Sequence, residues 1–110
     1  MEIEKKIITK IVTVLNKVNK DISLKLNLDQ ETYNRCKNLE LELNAKVKFL
    51  DMPTIYLDEK QVKTLNKVFG KISESFAVEE MKLSDERAKE IWKICYYILS
   101  EEENERQNNF

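Results

Sequence analysis

Histidine is absent from the 110 residues, glycine and proline occur once each, and only two cysteines are present. Without imidazole the chain lacks the usual general base near neutral pH, the commonest metal ligand and every histidine-based nucleophile relay. A single glycine excludes the Gly-rich loops whose backbone amides wrap phosphates. Cys36 and Cys95 are too far apart for a zinc motif, which needs paired ligands at short spacing, and too few for the disulfide scaffold of a small secreted chain. Both fall on apolar helical positions, where a free thiol behaves as a small hydrophobe. No D-x-D-x-D-G run offers a calcium loop. No 18 apolar residues run together, so no membrane span is expected. Ile7 to Leu15 could form a signal-peptide core, but Lys10 interrupts it and no small-residue cleavage site follows. The expectation is a cytoplasmic protein that needs no cofactor, holds no metal and is not an enzyme. Adjacent acids, Glu79 with Glu80 and Glu101 to Glu103, are read as solvated helix ends because nothing nearby would raise a carboxyl pKa.

What the chain does contain is charge and periodicity. Charged residues make up 35%, above the globular average, and apolar residues 42%. The apolar residues are grouped in stripes, which fits long helices with solvated outer faces. The net charge of −1 points to neither nucleic acid nor membrane. Its distribution is uneven, however. Residues 1–25 carry six lysines against three acids, residues 26–77 balance at eight and eight, and residues 78–110 carry five basic residues against nine acids. Either the N-terminal face meets an anionic partner, or the first and last helices lie side by side with complementary surfaces.

Ile3, Ile7, Ile8, Ile11, Val12, Val14, Leu15 and Val18 recur at spacings of three and four, which predicts a helix over 2–20. From Ile22 the period becomes two: Ile22, Leu24, Leu26 and Leu28 alternate with Ser23, Lys25 and Asn27, as in a half-buried strand. Asp29 is placed to cap a following helix. Residues 30–50 satisfy two templates. A helix puts Tyr33, Cys36, Leu39, Leu43, Val47 and Leu50 on one stripe, whereas a hairpin turning at 44–46 pairs Leu43 with Val47 and Leu41 with Phe49. A weak repeat at a 29-residue shift favours the helix. It matches Leu28, Asp29, Tyr33, Cys36 and Leu39 to Leu57, Asp58, Val62, Leu65 and Val68, where the second copy reads as strand, cap and helix. Asp58 and Gln61 make a capping-box-like pair.

A third helix is expected over 58–77, with Gly70 inside it, and a fourth over 84–102 behind the N-cap Ser84. The fold class is mainly α: a compact four-helix domain over 1–102, a minor two-stranded element pairing 22–28 with 54–57, and a flexible tail over 103–110. The alternative is α+β, with a three-stranded antiparallel sheet from 22–28, 39–43 and 47–51.

On the last helix the stripe Ala88, Ile91, Trp92, Cys95, Ile98 and Leu99 is assigned to the core, and Ile94, Tyr96 and Tyr97 extend apolar character around the cylinder. A helix apolar on nearly all sides is central in a core or shared with another chain. Ile94, Tyr96 and Tyr97 are therefore the candidate protein-binding residues. Tyr97 either stands exposed as a hot spot or is covered by the N-terminal segment. The expected function is a non-catalytic interaction module, an inhibitor, adaptor or assembly factor with a protein partner, and a homodimer through 84–102 is one form of it. Lys, Asn and Ile enrichment resembles AT-rich bacterial or phage coding, so an accessory protein that inhibits a host or defence enzyme is one such role. The alternative is a small DNA- or RNA-binding regulator using Lys6, Lys10, Lys17, Lys20 and Lys25. A strand followed by a helix resembles the ribbon–helix–helix manner of presenting a strand to the major groove. The near-zero net charge and the absence of arginine from the first helix weigh against it.

Overall fold

The first turn of the chain is extended because Ile3 finds a strand partner 52 residues away. In the computed structural model, which describes residues 1–108, β1 (Glu2–Glu4) pairs antiparallel with β2 (Thr54–Tyr56), and Ile3 sits opposite Ile55. Both isoleucines are buried. The Met1 and Leu57 main chains extend the ladder, with Leu57 N–H donating to the Met1 carbonyl at 2.8 Å. Thr54 Oγ1 donates to the Glu2 carboxylate at 2.7 Å. Only then does α1 (Lys5–Lys17) begin, with Lys5 N–H donating to the Pro53 carbonyl at 3.0 Å.

The strand expected at 22–28 does not form, and its pairing with 54–57 is replaced by β1. Residues Lys20–Lys25 are instead a short helix, α2. Asn19 caps it by accepting the Ile22 N–H at 2.9 Å. The alternating leucines fit this turn because Ile22 and Leu26, four apart, share its buried side, whereas Leu24 is 73% exposed. Asn27 then ends the turn at φ 55°, a left-handed conformation that asparagine tolerates better than most residues. The three-stranded alternative is likewise excluded, since residues 39–43 and most of 47–51 lie within α3 (Gln30–Phe49). Leu41 and Phe49, the residues that a hairpin would have paired, are exposed.

The capping expectations hold. Asp29 accepts the Thr32 N–H at 2.7 Å, which together with nearby Lys67 holds its carboxyl below the usual range. Asp58 and Gln61 form the full capping box of α4 (Glu59–Phe69). Glu42 and Lys46 make the expected i, i+4 pair at 3.3 Å. Helix 58–77 is split, however. α4 stops at Gly70, and Ser73 starts α5 (Glu74–Glu79) by accepting the Phe76 N–H at 3.1 Å. At Gly70 a Cβ would stand 2.8 Å from the Asn66 carbonyl oxygen of the preceding turn, so the close approach that glycine permits there is to its own helix end. Ser84 Oγ accepts the Arg87 N–H at 3.2 Å ahead of α6 (Asp85–Asn108). That helix runs beyond the expected boundary at 102, and residues 109–110 of the expected tail lie outside the described residues.

The described residues are thus mostly helical, with six helices rather than four and one two-stranded antiparallel sheet. α1 packs chiefly on α3, α3 on α4, and α6 against α4, α5 and α1. Ile8, Ile11, Leu15, Leu43, Leu65, Val68, Phe69, Ile91 and Ile98 form the centre of the core. Among the described residues no helix is long and apolar enough to cross a membrane.

Candidate functional site

α6 carries more apolar surface than its neighbours can cover, and the packing decides which part is left over. The buried positions are Ala88, Ile91, Ile94 and Ile98. At 100° per residue these lie within an arc of about 120°, which shares Ala88, Ile91 and Ile98 with the stripe expected from sequence but is rotated about 40° from it. Ile94, expected on a binding surface, is 5% exposed and belongs to the core. Trp92 and Leu99, expected in the core, are 59% and 52% exposed, and Tyr96 is 75% exposed. Trp92, Tyr96 and Leu99 follow an i, i+4, i+7 spacing and so form one solvent-facing stripe. The signal for them was present as a second periodic stripe on the same helix.

Beside this stripe runs an apolar groove of about 150 Å³ between α4 and α6. Phe69, Gly70 and Ile72 line one wall, and Ile91, Trp92, Cys95 and Leu99 the other. Cys95 is half-buried, and burial pushes its thiol up to about 11, which keeps it protonated and poorly nucleophilic.

Tyr97 lies on the opposite flank. It is half-buried and packs against the core, between the exposed and the covered readings. It shares a groove of about 340 Å³ with Lys6, Ile7, Lys10, Glu90, Lys93 and Ile94. Burial raises the Tyr97 phenol above its ordinary value, helped by the Glu101 and Glu4 carboxylates. Two residue sets that sequence kept apart, the Tyr97 end of α6 and the first lysines of α1, therefore meet here. Lys10 pairs with Glu90 at 3.3 Å and Lys6 with Glu4 at 3.3 Å, so both ammonium groups already face carboxylates. Helices α1 and α6 do touch through complementary charge at this point.

The other lysines do not continue the row. Lys17 and Lys25 line a separate polar groove with Asp21, Glu80 and Lys82, where Lys25 is bonded to the Glu80 carboxylate. Lys20 is exposed at the start of α2. Ser23, on the polar side of the strand expected at 22–28, is buried in α2.

The chain matches no family model, no curated protein and no solved structure. Among the described residues no group of three or more potential metal ligands gathers. Trp92, Tyr96 and Leu99, with the α4–α6 groove at their side, offer large apolar area on one helix whose adjacent face is buried, and Leu41, Phe49, Met52 and Tyr56 are exposed elsewhere.

Proposed function

We propose that this chain is a non-catalytic protein–protein interaction module, an inhibitor, adaptor or assembly factor that works by occupying a partner's surface through α6. The observation that supports it is the exposed stripe Trp92, Tyr96 and Leu99. Three large apolar side chains held in line on one helix are costly to leave in water, and tryptophan and tyrosine are the residue types that dominate binding hot spots. Lys93 beside them is exposed and gives the apolar stripe a polar neighbour on one side.

The experiment is capture from the source cell by the whole chain, identification of the retained protein, and titration of that purified protein against variants. Replacing Trp92 and Tyr96 together by alanine is expected to weaken binding by about 100-fold or more, since hot-spot truncations cost about 2 kcal/mol or more each. Folding should be retained. Binding unchanged by the double substitution refutes the assignment of this face, and turnover of a substrate that depends on the chain's carboxylates refutes the non-catalytic reading.

A DNA- or RNA-binding regulator draws on less. Four of its lysines are divided between two grooves with Lys20 in neither, three of the five face carboxylates, and the segment expected as its strand is a helix. Salt-titrated binding to random duplex decides it: affinity that falls steeply with salt and depends on Lys6, Lys10 and Lys17 supports it, and no binding at low salt removes it.

A further inference from the structure

We propose that the first partner of the exposed α6 face is a second copy of this chain, docked antiparallel about a two-fold axis at Tyr96; this rests on the interaction role of that face. Three observations lead there. The stripe is centred on Tyr96, with Trp92 four residues before it and Leu99 three after. Lys89 and Glu103 lie seven residues to either side, which is two helical turns less about 20°, so both flank the stripe on the same side of the helix about 10 Å from Tyr96 along the axis. Both are exposed, and among the described residues neither has an ion-pair partner within its own chain.

The charge order selects the orientation. On the face of the stripe α6 presents Lys89 before Tyr96 and Glu103 after it, whereas Glu101 lies beside Tyr97 and Glu102 accepts from Asn66. Parallel docking of two such helices would set lysine on lysine and glutamate on glutamate. Antiparallel docking sets Lys89 of each copy against Glu103 of the other, and lays each Trp92 ring beside the other copy's Leu99. A two-fold contact makes every such pair occur twice, and it closes, so association stops at the dimer. The apolar stripe is short against the roughly 800 Å² per partner of a standard interface, so a dissociation constant on the order of tens of micromolar is expected.

Sedimentation equilibrium of the full chain, with folding of each variant checked by circular dichroism, tests this. The wild type should dimerise in the micromolar range. Lys89→Glu and Glu103→Lys should each raise the dissociation constant about tenfold, because each reversal turns two attractive contacts repulsive. An equimolar mixture of the two variants should recover wild-type affinity, since only the mixed pair restores both contacts. Wild-type dimerisation should also weaken between about 50 mM and about 500 mM salt. A wild type still monomeric at about 500 µM overturns self-association, while the capture experiment continues to judge the face itself. A dimer in which the mixture is no tighter than either variant alone, or which ignores salt, overturns the antiparallel geometry.

Discussion

Ile94 and Tyr96 are two residues apart on α6, and the fold gives them opposite fates under the same substitution. Ile94→Ala removes three carbons from a site only 5% exposed. At about 0.8 kcal/mol per buried methylene the transfer loss is about 2.4 kcal/mol. A residual cavity of about 40 Å³, at about 24 cal/mol per Å³, adds about 1 kcal/mol. The better helix propensity of alanine returns about 0.4 kcal/mol. The expected cost is therefore about 3 kcal/mol. Tyr96→Ala removes a larger side chain, but one that is 75% exposed. Its lost burial is about 1 kcal/mol at most, largely offset by the same propensity gain, so the expected change is under about 0.7 kcal/mol. Urea unfolding followed by far-UV circular dichroism separates the two. With a slope of about 1.5 kcal/mol per molar, Ile94→Ala shifts the midpoint by about 2 M and Tyr96→Ala by under about 0.5 M. Low micromolar protein keeps self-association from adding to either value. Equal shifts, or a larger one for Tyr96→Ala, would show that α6 is rotated from the orientation described and that its binding face is misassigned.

Asp58→Ala should cost about 1 kcal/mol, because it opens a capping box closed at 2.8 and 3.0 Å, and Asp58→Asn should recover much of it; equal losses for both would deny the cap its role. Cys36 is fully buried with its thiol pushed up by burial to about 11, so at pH 8 its reaction with a chromogenic disulfide should be about 100-fold slower than in the urea-unfolded chain. The same shift makes stability fall as pH rises from the ordinary thiol value of 9.0 through about 11, because the folded state holds the proton more tightly; a flat profile there in comparison with Cys36→Ala refutes it. The Tyr97 phenol should titrate above its ordinary value in an ultraviolet absorbance titration, with Tyr97→Phe removing that late step, since burial and two carboxylates oppose its phenolate.

The starts of α3, α4 and α6 were legible because their caps are local, whereas those of α1, α2 and α5 were not. Asp29, Asp58 and Ser84 each bond a main-chain N–H three residues ahead, so identity and spacing alone were enough to find them. The mainly helical class and the helix over 30–50 followed in the same way from stripes at spacings of three and four. The pattern at Ile22 to Leu28 misled because alternation over seven residues is also satisfied by one capped turn that buries Ile22 and Leu26 and leaves Leu24 in water. The strand partner of Thr54–Tyr56 had to come from elsewhere in the chain, and nothing local marks Glu2–Glu4 for it except an isoleucine that fits a helix equally well.

The site divides along the same line. Composition and periodicity established that α6 has too much apolar surface for one face, and they named Tyr96 among its candidates. Its rotation was a tertiary decision. A helix apolar around most of its circumference does not set its own rotation, which is decided by packing against α1, α4 and α5. Ile94 joined Ala88, Ile91 and Ile98 in the core, while Trp92 and Leu99 came out, because a rotation of about 40° turns that edge of the expected stripe to solvent.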